Sequence, residues 1–152
     1  MRAFLRWWLM ICVIVIATII LNQFDIFSKL YETDQSKISF IIIAIFNIIT
    51  TYIGVVTYKL SKGLDVTNTE ITNCWFFADE CQTLGLIGTV IGFIIMIGFA
   101  FNNLDVEDTE SIQSAIKYMS IGMGSALVTT LVGMTASVLL KLQLININHD
   151  NR

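Results

Sequence analysis

Proline is absent from this 152-residue chain, histidine occurs once, and only 14% of the residues carry a charge. Without proline, any bend in a helix must come from glycine or serine. The single histidine, His149, lies in a polar tail, and Cys12, Cys74 and Cys81 do not have the spacing of a zinc site. These cysteines read as apolar or interfacial thiols, and no resident cofactor or metal is expected. The net charge is −3 and no basic patch with interleaved aromatics occurs, which argues against nucleic acid as a partner. The sequence has no internal repeat and no low-complexity segment.

What the chain does have is apolar length. Four runs free of charged residues extend over 7–24, 38–58, 81–104 and 118–140 and together hold 86 of the 152 residues. A helix rises about 1.5 Å per residue and the hydrocarbon core is roughly 30 Å thick, so each run is long enough to cross a bilayer. The expected fold is therefore all-α, a polytopic membrane protein with four transmembrane helices forming a single membrane domain over 1–152. No segment between the runs is long enough to bury a soluble core. Arg2 and Arg6 precede the first run in the manner of a signal peptide, but Ile19 to Phe24 offer no small-x-small cleavage pattern, and a retained helix is expected.

Basic residues set the orientation. With the N-terminus inside, that side holds Arg2, Arg6, Lys59, Lys62, Lys141 and Arg152, against Lys29, Lys37 and Lys117 on the other, which favours N-in and C-in. Trp7, Trp8 and Trp75 read as anchors at the inner interface. The segment 25–37 is expected to form a turn or a brief amphipathic piece outside. Residues 59–80 form a short cytoplasmic segment in which Gly63 ends the second helix. Thr67 with Glu70 fits a capping box, so the third helix is expected to start early and extend into the cytoplasm. The loop after the third run is acidic through Asp105, Glu107, Asp108 and Glu110. Another helix start falls near Asp108 or Thr109, because Ile112, Ala115, Ile116 and Met119 recur at helical spacing and lead into the fourth run.

The last two runs differ from the first two in texture. Gly85, Gly88, Thr89 and Gly92 share a face of the third, and Ser125, Thr129, Gly133 and Ser137 recur every four residues on the fourth, with Gly122, Ala126 and Thr130 nearby. Small residues at this spacing let helix backbones approach closely, and threonine hydroxyls often bond back to their own helix. Spacing alone therefore admits tight packing as well as the lining of a pathway.

The words LGLIGTVIGFI (84–94) and GMGSALVTTLVGM (122–134), in that order and separated by an acidic loop, resemble the pore-forming signature of the MotA/TolQ/ExbB family. Four spans with both termini inside look like the MotA branch. The resemblance implies an A-type subunit of an ion-driven stator or energy-transducing motor in a bacterial inner membrane, and not an enzyme. It implies a pentameric ring around single-span subunits of the MotB/TolR/ExbD kind. Carried over, Thr89 matches the threonine of the G-T-V-x-G helix and Thr130 the threonine before the glycine of the last helix. Thr129 is a neighbouring contributor. Three departures stand out: no proline follows the last-helix motif, Ser125 occupies a position where some members carry glutamate, and the large rotor-engaging domain is reduced to 59–80.

None of the four runs contains Asp, Glu, Lys, Arg or His. Moving a proton across hydrocarbon through a protonation cycle needs a titratable group, so by resemblance the missing Asp belongs to the single-span partner. Thr89 and Thr130 would supply hydroxyls that hydrogen-bond it or the transported ion, H⁺ or Na⁺. A small-multidrug-type transporter would need an intramembrane carboxylate of its own, which the runs lack. A holin-like pore or a structural membrane scaffold needs none and is the competing reading.

Overall fold

The computed structural model describes residues 2–23, 34, 37–101 and 108–150, and four helices account for nearly all of them. They are α1 (Arg2–Gln23), α2 (Ile38–Ser61), α3 (Asn68–Phe101) and α4 (Thr109–Asp150). No strand occurs among the described residues. Phe24, most of the segment 25–37, the residues 102–104 that close the third run, and Asp105 and Glu107 of the acidic loop lie outside the described residues.

Each described helix end has a local cause. Asp34 is buried and accepts a 2.9 Å hydrogen bond from the Ser39 N–H, satisfying a donor that the first turn of α2 leaves open. At the far end of α2, Gly63 takes φ 70°, the Gly63 N–H donates to Leu60 O at 3.0 Å and the Leu64 N–H donates to Lys59 O at 3.1 Å. This is a Schellman motif, and its left-handed residue is the glycine expected to stop the helix. Half of the capping box forms: the Thr67 N–H donates to Glu70 Oε2 at 3.2 Å, while the Glu70 N–H donates to the Thr67 backbone carbonyl at 2.9 Å, and α3 begins at Asn68. Asp108 caps α4 by accepting from the N–H groups of Glu110 at 3.1 Å and Ser111 at 3.3 Å.

Among the described residues three helices are long and apolar enough to cross a membrane: α2, α3 and α4. In α1 the apolar stretch Trp7–Ile20 is shorter than the 18 residues that would place it in that group. α3 starts 13 residues before the apolar run at Cys81, and α4 continues to Asp150, beyond the expected end of the fourth run at Leu140. The continuation has a packing reason, since Leu140, Leu144 and Ile147 recur at helical spacing and all are buried.

α3 and α4 lie antiparallel and in contact along most of α3. Their contact line pairs Cys81 and Gly85 with Gly133, Gly88 with Thr129, Gly92 with Ala126, and Met96 with Gly122. The main core gathers at the end holding the α2–α3 turn, where Ile42, Ile49, Ile53 and Val56 of α2 meet Cys74, Ala78 and Cys81 of α3 and Ala136, Leu140, Leu144 and Ile147 of α4. α1 closes this end: Trp7 packs on Gly54, and Leu9, Met10, Val13 and Ile14 face Leu139, Leu142 and Gln143 across an apolar cleft.

Candidate functional site

The close approach of α3 and α4 is what builds the site. A Cβ placed on Gly133 would lie 2.7 Å from Cys81 O and 2.8 Å from the Gly85 Cα, so any side chain there would push the helices apart. Gly88 likewise receives the Thr129 side chain, and a Cβ on Gly92 would stand 3.1 Å from that of Ala126. Gly122 accepts Met96 in the same way. All the residues expected to pack helices, namely Gly85, Gly88, Gly92, Gly122, Ser125 and Gly133, are buried.

One residue to the side of this line, the hydroxyls of Thr89 and Thr130 meet across the two helices in a mutual hydrogen bond. Thr89 Oγ1 is also 3.0 Å from Gly85 O and 3.3 Å from Ala126 O. Thr130 Oγ1 is 3.3 Å from Ala126 O and 3.4 Å from Gly85 O. Both side chains are half-buried. Two hydroxyls carry two protons, and one of these is used between them, so at any moment one of the two carbonyls receives the other. The order can reverse, Thr89 to Thr130 to Ala126 O or Thr130 to Thr89 to Gly85 O. Either arrangement leaves hydroxyl lone pairs that can accept from a protonated carboxyl or face a small hard cation, which prefers oxygen.

Thr129 is placed differently. It is fully buried against Gly88 and its hydroxyl donates to Ser125 O at 2.9 Å. The structure thus brings Thr89 and Thr130 together and sets Thr129 in the packing line beside them. Thr135, five residues further along α4, is exposed. The two carbonyls, Gly85 O and Ala126 O, were not singled out from sequence, although both lie four residues before a site threonine, the spacing at which a hydroxyl bonds back along its helix. No group of three or more His, Cys, Asp or Glu that could hold a metal occurs among the described residues.

Two ion pairs tie the helices on the side of the α2–α3 turn, Lys59 of α2 to Glu70 of α3 at 3.0 Å and Lys141 of α4 to Asp79 of α3 at 2.7 Å. The second of these also escaped the sequence reading. Its signal is the antiparallel register, which brings 79 level with 139–141 once Gly85 is paired with Gly133.

No curated protein and no solved structure matches the chain. A family model does, that of the MotA/TolQ/ExbB proton channel family, over residues 76–149. The matched stretch holds most of α3 and almost all of α4, including both threonines and every small residue of their contact line. The match over 76–149 supports membership of the MotA/TolQ/ExbB proton channel family.

Proposed function

We propose that this chain is the ring-forming A-type subunit of an ion-driven energy-transducing complex, and that Thr89 and Thr130 are its ion-facing groups. The observation that carries the reading is the hydroxyl pair itself, set at the middle of the apolar part of the α3–α4 hairpin. The runs 81–101 and 118–140 around it hold no charged residue, so the titratable group comes from a second protein, a single-span subunit of the MotB/TolR/ExbD kind with a membrane Asp. Each elementary charge that moves across yields about 2.3 kcal/mol per 100 mV, which repeated steps turn into motion of the ring against its central helices.

Four crossings, N-in and C-in, fit this function. In support, α1 runs antiparallel to α2 with Trp7 at Gly54, and 22 helical residues rise about 33 Å, a bilayer's thickness. The first and last described residues then share a side with the α2–α3 turn, which the basic-residue count assigns to the cytoplasm of a bacterial inner membrane. A pentamer is the ring the family resemblance implies, and exposed Leu86, Val90, Phe93, Ile94, Ile97, Leu127 and Leu131 give the hairpin an apolar surface for neighbouring copies.

Purification in mild detergent tests the assembly. A native mass of five copies plus a small single-span protein bearing a membrane Asp is the expected result. A monomer or dimer, or a homo-oligomer with no such protein, contradicts it and returns the holin-like or scaffold reading.

A further inference from the structure

The cleft between α1 and α4 holds about 180 Å³, and six of the seven side chains that line it are apolar: Leu9, Met10, Val13 and Ile14 of α1 with Leu139 and Leu142 of α4. Apolar cavities of roughly 150 Å³ stay dry and take up hydrocarbon. Leu9 is 65% and Leu142 46% exposed, so the rim of the cleft is open to a ligand from the surrounding bilayer. The seventh side chain is Gln143. It is 1% exposed, and neither of its amide atoms has a hydrogen-bond partner among the described residues. An amide buried in that state is costly, and a ligand carrying a hydrogen-bonding atom would relieve it. Gln143 turns its methylenes to the cleft and keeps the amide buried behind them. Rotation about its side-chain torsions, of which the terminal one is soft, brings the amide to the cleft.

The level of Gln143 narrows the choice of ligand. The charge-free run 118–140 of α4 has its midpoint at Thr129, and Gln143 is 14 residues further on, about 21 Å along the helix. Hydrocarbon extends about 15 Å from the bilayer midplane and the headgroup regions about 20 to 22 Å. Side chains lean toward the N-terminus of their helix, which for Gln143 is toward the hydrocarbon. The amide therefore falls in the zone of the phospholipid glycerol esters. Lys141, paired with Asp79 on the opposite face of α4, marks the same polar boundary. On α1, the exposed Trp8 next to Leu9 is of the type that anchors there.

We propose that the α1–α4 cleft binds one phospholipid of the leaflet on the side of the α2–α3 turn. The upper part of an acyl chain lies between the α1 and α4 side chains, and Gln143 Nε2 donates a hydrogen bond to the ester carbonyl of that chain. Gln143 Oε1 then accepts from interfacial water. The site rests on the run 118–140 crossing the bilayer and not on the motor reading. Its test reads lipid binding and no ion-driven activity, so each can fail by itself.

The test uses the full chain in lipid-free mild detergent, titrated with dioleoylphosphatidylethanolamine or with the diether lipid of the same chains and headgroup, which lacks both ester carbonyls. Binding is read as the rise in melting temperature. Wild type is expected to half-saturate at an ester-lipid fraction about three- to tenfold lower than that of the diether lipid, the factor that one hydrogen bond contributes. Gln143→Met, which keeps the length and removes the amide, should take both lipids alike. Equal response of wild type to the two lipids, no response to either, or a preference for the ester that survives in Gln143→Met would each overturn the proposal. A phosphatidylethanolamine with a photoreactive diazirine in its acyl chain locates the site without a variant. Attachment within 9–14 and 139–143 is the expected result, and attachment spread over the exposed faces of the other helices contradicts it.

Discussion

Gly88→Ala should separate α3 from α4, and the cause can be named to the atom. The added Cβ would overlap the Thr129 Cγ2 and lie 3.1 Å from the Thr129 Cβ. Thr129 cannot turn away freely, because it is fully buried and its hydroxyl is committed to Ser125 O at 2.9 Å. Overpacking of this kind costs about 1–3 kcal/mol. Thr129→Ser removes the offending methyl and alone should cost about 1 kcal/mol, as loss of one buried methyl does. In the double variant the clash is gone, so the combined cost should fall below the sum of the two single costs by about 1–2 kcal/mol. Gly124→Ala on α4 is the reference, since nothing lies within 4 Å of its Cβ position. Titration of the purified protein from mild detergent into a denaturing detergent, followed by helical signal, gives the four stabilities. If Gly88→Ala is as well tolerated as Gly124→Ala, or if Thr129→Ser does not relieve it, the Gly88–Thr129 contact does not set the helix spacing.

Further outcomes follow from other contacts. Asp108→Ala removes the carboxylate that caps α4 and should lower stability by about 1 kcal/mol in a thermal melt, with Asp108→Asn retaining most of it. No loss on Asp108→Ala would refute the capping role. Both amide atoms of Gln143 are buried without a hydrogen-bond partner, so Gln143→Met should stabilise the isolated chain by about 1–2 kcal/mol. A loss of stability there would mean that the amide has a partner. Glu70→Gln weakens a solvent-screened ion pair to Lys59 and should leave the thermal melt essentially unchanged, and a clear loss would show that this pair holds the α2–α3 turn.

The all-helical class and the small-residue faces of α3 and α4 were legible because both rest on local signals, whereas the register that pairs the two faces was not. Apolar length gave the helices, and the spacing of Gly85, Gly88 and Gly92 against Ser125, Thr129 and Gly133 gave the faces that pack. The caps were legible too, since Gly63, Thr67, Glu70 and Asp108 act within a few residues of their own positions. What composition did not separate was Thr129 from Thr130. They are neighbours of one chemistry, and one step of 100° around α4 sends the first under Gly88 and the second to Thr89. The length of α4 was underread for a different reason. Beyond Leu140 the sequence turns polar on one face while Leu144 and Ile147 stay on the buried one, and a search for charge-free runs stops at Lys141.

The central claim is that the Thr89–Thr130 hydroxyls serve an ion or a partner carboxylate and are more than a clamp between helices. Thr130→Val keeps the shape and removes the hydroxyl, while Thr135→Val removes an exposed hydroxyl five residues along the same helix. A hydrogen bond to a charged group contributes about 1.5–3 kcal/mol, enough to shift a cycling carboxylate by about one to two pKa units. The measurement is ion-driven activity dependent on the proton-motive force, made on complexes whose native mass is first shown to be unchanged. The expected result is loss of activity in Thr130→Val with normal activity in Thr135→Val. Equal activity in the two variants would contradict the assignment and leave the pair as packing alone.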